Sequence, residues 1–113
     1  MSMIIEVRTY KIKPGLRDRF IQLFESRAVP VQQSLGIKVL GPLLDVENPD
    51  VFVFLRAFPS MAERDRMKNL FYEGPIWKEE LEAQAMPMVQ SYSSVLTETS
   101  LGYVSFEGTA QPL

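Results

Sequence analysis

The sequence predicts a ferredoxin-like α+β domain. The expected order is β-α-β-β-α-β, with a four-stranded antiparallel sheet in the order 4-1-3-2 and the helices on one face. Three observations carry that prediction. Strand-like runs recur at Met3–Lys13, Ile37–Val46, Val51–Phe58 and Met88–Thr99. Helix-period stretches separate the first run from the second and the third from the fourth. Only the turn sequence "ENPD" separates the second run from the third, which makes those two a hairpin.

Each element has its own local reason. In the first strand, "EVRTYKIKPG" alternates and then turns at "KPG", where Pro14 fixes φ and Gly15 permits φ > 0. A helix over Leu16–Ser34 follows from the spacing of Leu16, Phe20, Leu23, Phe24 and Val31. Pro30 is expected to kink or break it, and Gly36 to stop it. Gly41-Pro42 interrupts the second strand, which places that strand at an edge with a bulge. "VFVFLRAF" is dense in β-branched and aromatic residues and is the strongest strand in the chain. Ser60 with Glu63 three residues on forms a capping box for the next helix, which Gly74-Pro75 ends. A further helix covers Ile76–Ala85 before the last strand. Residues 1–99 thus form one domain, and 100–113 a C-terminal tail in which "YVSFE" is a further strand candidate.

Composition narrows the chemistry. The 113 residues suit a single core, with 46% hydrophobic and 23% charged side chains. A net charge of -2 gives no basic field for nucleic acid. No apolar run approaches the roughly 20 residues of a membrane span. The start "MSMIIEVRTY" lacks the pattern of a secretory signal, so the expected location is the cytoplasm. There is no cysteine and no histidine. Disulfides, thiolate sites, histidine triads and the usual haem and zinc ligands are therefore absent, and no metal or cofactor is expected.

The period of two then sorts the strands into faces. Ile5, Val7 and Thr9 share one face of the first strand; Glu6, Arg8 and Tyr10 share the other. On the third strand Val51, Val53, Leu55 and Ala57 oppose Phe52, Phe54, Arg56 and Phe58. The smooth aliphatic set is expected beneath the helices. The aromatic, charged set is expected on the far side, where one chain cannot cover it and a two-fold related copy can. That implies a homodimer whose sheets face each other and partly close into a barrel. Glu6, Arg8, Tyr10, Phe54, Arg56 and Phe58 would line its cavity. Glu6 and Arg8 are open to two roles, cavity groups or structural ions paired with each other or with Arg56. Trp77 either caps the cavity or packs in the core against Leu81. The charge run "AERDRMK" reads as a solvated helix face.

Three segments, "EVRTYKIKPG", "VFLRAFPSMAERDRM" and "GPIWKEEL", together resemble the NIPSNAP-like family, and the likeness runs from about Ile4 to Leu96. The resemblance implies the ferredoxin-like fold and the dimeric α/β-barrel superfamily. Family members often carry histidine and an aromatic on the third strand, followed by tyrosine; here Phe54, Arg56 and Phe58 stand in that region. Relatives in the wider superfamily include cofactor-free oxygenases, haem-degrading enzymes and isomerases, an analogy of fold alone.

Two functional classes follow. In one, the dimer binds a small aromatic or anionic molecule in its barrel cavity, with oxygenase or isomerase chemistry as an option. Arg8 and Arg56 would hold the negative charge, Tyr10 would donate a hydrogen bond, and Phe54 and Phe58 would stack on the ligand. In the other, the protein is a non-enzymatic interaction module whose sheet face serves only dimerisation. No catalytic residue is assigned.

Overall fold

A computed structural model describes residues 2–100, so the tail segment 101–113 with "YVSFE" lies outside the described residues. β1 (Met3–Ile12) leads into α1 (Arg17–Leu23), which passes through a π turn (Phe24–Ala28) into α2 (Val29–Ser34). The hairpin β2 (Lys38–Leu44) and β3 (Val51–Phe58) follows, then α3 (Met61–Tyr72). A second π turn (Ile76–Leu81), α4 (Glu82–Ala85) and a 3-10 turn (Met86–Met88) connect to β4 (Val89–Thr99). The sheet order is β2-β3-β1-β4, as the sequence predicts, and every pairing is antiparallel. Among the described residues no helix is long and apolar enough to cross a membrane.

Local chemistry explains the departures from the expected elements. Pro30 does not break its helix. The register widens just before it, where the Val29 N–H donates to the Phe24 carbonyl five residues back. The i→i+5 turn makes room for a ring that cannot donate and would crowd the preceding turn. Ser60 caps α3, its Oγ accepting from the Glu63 N–H at 3.1 Å. Only that half of the capping box forms, because the Glu63 carboxylate instead accepts from Arg66 at 2.6 Å.

The strand faces are the reverse of the expectation. Phe52, Phe54 and Phe58 lie in the core with Phe20, Phe24 and Met67 of the helix layer. Their ring contacts are close: Phe24 to Phe54 is 4.7 Å between centroids, and Tyr10 to Phe52 is 5.6 Å. Val51, Val53 and Leu55 are half-buried on the opposite face, where Ile5 and Ala57 form a smaller cluster with Met3, Leu40 and Leu55. The alternation is as expected, but the aromatic, charged set lies beneath the helices and the aliphatic set faces away. The reason is volume. The helices bring large rings of their own, and only another aromatic row fills the space between sheet and helices at native packing density.

This overturns the dimer expected on the aromatic face, because the helices of the same chain already cover it. It also removes the barrel. The sheet is open, with β2 and β4 as its two edges, and it does not close on itself. The cavity between facing sheets, with its six expected lining residues, falls with it.

β2 is an edge strand with a register shift between Leu40 and Leu43, as Gly41-Pro42 implies. Gly41 has φ +133, and a Cβ there would sit 2.8 Å from Phe54 Cβ. Glycine alone both adopts that backbone and lets the strand approach the core aromatic. Gly41→Ala is expected to destabilise the fold by about 1–3 kcal/mol, from overpacking and backbone strain together. Urea unfolding at equilibrium checks this, and an unchanged midpoint would contradict it.

Candidate functional site

The polar residues of the helix-facing side meet around one carboxylate. Antiparallel register sets Glu6 opposite Arg56 on β3 and Leu96 on β4, and Arg8 opposite Phe54 and Ser94. Glu6 and Arg56 are fully buried. Arg56 Nε donates to Glu6 Oε1 at 2.7 Å, and its Nη2 closes on the same oxygen. Arg64 Nη2, arriving from the first turns of α3, donates to Glu6 Oε2 at 2.6 Å. Ser94 Oγ donates to that oxygen at 3.1 Å. The remaining end of Arg56 is held by Gln32 Oε1 at 3.2 Å and the Tyr72 hydroxyl at 3.3 Å.

Burial by itself would push the Glu6 pKa up. The Arg56 charge, hydrogen bonds from Arg64 and Arg56, and the Arg8 charge outweigh that and bring it down to about 2. So acidic a carboxyl is a poor base at neutral pH, which makes Glu6 an electrostatic anchor and not a proton acceptor.

Arg8 stands differently. It is 7% exposed, and its nearest Glu6 oxygen is 3.8 Å away, outside direct hydrogen-bond range. Its Nη2 donates to the Tyr10 hydroxyl at 2.7 Å, and its Nε is buried with no hydrogen-bond partner among the described residues. The Tyr10 and Tyr92 rings each lie 5.4 Å from its guanidinium carbon. Burial first, and then the neighbouring Tyr72, push the Tyr10 pKa up to about 12 against the pull of Arg8. The phenol therefore keeps its proton. Because it accepts from Arg8, that proton is available to another acceptor.

Arg8 and Tyr10 line a cleft of about 450 Å³ between the sheet and the α3–α4 side of the helix layer. Arg64, Lys68, Tyr72, Trp77 and Tyr92 share its walls. Among the described residues its charged lining comprises Arg8, Arg64, Lys68 and Lys78 against Glu73 and Glu82. A smaller apolar compartment of about 40 Å³ lies behind it, between Phe54 and the helices. Tyr10, Tyr72, Trp77 and Met86 line both spaces. Among the described residues no three metal-ligating side chains converge on one point.

Of the residues singled out from sequence, Arg8, Tyr10 and Trp77 line the cleft, and Phe54 lines the inner compartment. Glu6 and Arg56 are brought together, but as the buried ion cluster behind the cleft wall. Phe58 is 1% exposed in the core and lines neither space. Trp77 stands at both spaces, edge-on to Tyr72 at 5.1 Å, with its indole N–H donating to Glu82 at 3.2 Å.

Arg64, Gln32 and Ser94 are the members that sequence reasoning does not place. Arg64 sits in the "AERDRMK" run read as a solvated face, yet its side chain is only 14% exposed. The signal was present: Arg64, Met67 and Phe71 are spaced i, i+3, i+7, so the arginine lies on the buried face of α3.

Fold and cleft together define a ferredoxin-like domain whose candidate site lies within one chain, between sheet and helices. A family model for NIPSNAP matches residues 5–101, and the chain belongs to the NIPSNAP family. Solved structures share the fold. A NIPSNAP-like domain protein from Burkholderia xenovorans is 20% identical, with 91% of this chain and 89% of that one covered and a TM-score of 0.79. A NIPSNAP family protein from Agrobacterium tumefaciens is 21% identical, with 86% and 87% covered and a TM-score of 0.77. Another from the same organism is 18% identical, with 84% and 83% covered and a TM-score of 0.76. No curated protein matches the chain.

The Glu6 cluster makes a signed prediction for pH. The folded pKa, about 2, lies below the ordinary value of 4.5. The native state therefore binds fewer protons than the unfolded chain between those values. The stabilisation is present above about pH 4.5 and is lost as pH falls toward 2, amounting to about 3 kcal/mol in all. Glu6→Gln should cost about 3–5 kcal/mol at neutral pH, because three guanidinium groups lose their shared anion. It should also flatten the acid limb of a stability–pH profile measured by urea unfolding. A variant with the wild-type acid slope would contradict the assignment.

Proposed function

We propose that the protein binds a small organic anion in the cleft between its sheet and helices, with Arg8 as the principal anion contact. The observation that carries this is one buried cation. Arg8 is 7% exposed, lines the cleft, and among the described residues has no carboxylate within hydrogen-bond range. Its nearest carboxylate, Glu6, is 3.8 Å away and already bonded to Arg56 and Arg64, so the desolvation cost of this guanidinium is only partly offset within the chain. A carboxylate, phenolate or enolate in the cleft would offset that cost through a charge-assisted hydrogen bond.

The surrounding groups favour the same ligand. Tyr10 and Tyr72 each accept from an arginine and so retain a hydroxyl proton for an incoming oxygen. Arg64 and Lys68 add positive potential, and Trp77 and Tyr92 supply flat apolar walls. Glu6 and Arg56 act indirectly, by fixing the floor on which Arg8 rests. The cleft replaces the discarded barrel cavity: it belongs to one chain and needs no partner sheet.

A panel of small carboxylates and phenolates, read by thermal shift, tests the proposal. A ligand at about 100 times its Kd should add about 2.7 kcal/mol to wild-type stability and raise Tm accordingly. Arg8→Gln should remain folded and bind the same compound at least about tenfold more weakly, as expected for losing a hydrogen bond to a charged group. If no anion stabilises the wild type, or if Arg8→Gln responds as the wild type does, the proposal fails.

A further inference from the structure

The size and position of the inner compartment specify the ligand further, and we infer that the cleft selects a carboxylic acid bearing a short aliphatic arm, not an aromatic one. The inference rests on the anion-cleft assignment and deepens it. The outer cleft and the inner compartment share Tyr10, Tyr72, Trp77 and Met86 as lining. On this inference a ligand whose anionic head sits at Arg8 passes its other end between those four side chains into the apolar residues behind them.

Two measurements limit that end. The inner compartment is about 40 Å³. At about 10–15 Å³ for each water-sized centre, that holds roughly three heavy atoms. A benzene ring is known to occupy an apolar cavity of about 150 Å³, far larger than this one. The reach is also short. The guanidinium carbon of Arg8 is 5.9 Å from the centroid of Phe54, whose ring lines the compartment. Arg8 is thus packed against the compartment's own wall, and the size of the compartment limits the arm to a few carbons. Phe20, Leu23, Phe24 and Ala28 make this lining mostly apolar, although Gln32, Tyr10 and Tyr72 also border it.

Calorimetric titration of the wild type with acetate, propionate, butyrate, valerate, hexanoate and benzoate tests the inference. Affinity should rise about three- to fourfold per methylene, the gain from burying one CH₂, and then level off near butyrate or valerate. Benzoate should bind more weakly than valerate. Affinity that is flat along the series, or benzoate binding tightest, would overturn the short-arm inference and leave the anion cleft standing. If none of the acids binds, the short-arm inference fails, and the cleft assignment fails with it when the phenolates of the thermal-shift panel are also without effect.

Two variants locate the arm. Ala28→Leu, which adds three carbons to the compartment wall, should abolish the gain with chain length. Leu23→Ala, which enlarges the compartment, should move the plateau to longer acids. A wild-type gradient retained in either variant, with the fold verified by circular dichroism, would place the arm elsewhere and refute the inference.

Discussion

The structure depends on one buried carboxylate. Glu6 sits at the centre of the sheet on β1 and accepts from Arg56 on β3, Arg64 on α3 and Ser94 on β4. A lone charge in that position would be prohibitive, and so would either buried guanidinium without it. The cluster therefore fixes several things at once. It sets the register of the central strand pair, holds α3 against the sheet, and ties the edge strand β4 to the same point. Hydrophobic burial of Phe52, Phe54 and Phe58 supplies driving force, but it is non-directional. The ion cluster is directional, and it selects one arrangement of helices over the sheet.

The cleft follows from the way that charge is shared. Three arginines converge on one carboxylate, and two of them take its oxygens. Asp65 offsets part of the Arg64 charge by accepting from its Nη1 at 3.1 Å. Arg8 is left with a tyrosine hydroxyl as its hydrogen-bond acceptor. The positive excess thus falls on the residue at the cleft wall, while Arg56, deeper in the core, keeps Glu6, Gln32 and Tyr72 as hydrogen-bond partners. The same economy of acceptors leaves the Tyr10 and Tyr72 hydroxyl protons free for an incoming anion.

Much of this was legible in the sequence. Strand β3 runs over Val51–Phe58 as its composition predicts, Ser60 caps α3, and Gly41-Pro42 marks an edge strand with a bulge. The resemblance carried by "EVRTYKIKPG" and the later segments led to the family that the family model matches. Glu6, Arg8, Tyr10 and Arg56 were recognised as one face because residues two apart on a strand share a side, and that rule needs no partner.

The sequence by itself determined the elements, their order and which residues travel together. Those depend on local geometry: the periods of helix and strand, and the conformations open to glycine, proline and a capping serine. Only the tertiary structure decided which face of the sheet the helices cover, and so whether the cavity lies within the chain or between copies. Period-two alternation gives two faces but assigns neither to the core. That assignment came from the volume of Phe20 and Phe24 in the helix layer and from Arg64, which a residue spacing on α3 turns inward to meet Glu6, 58 positions away. Such contacts are long-range matches of size and charge, and no short stretch of sequence contains both halves of them.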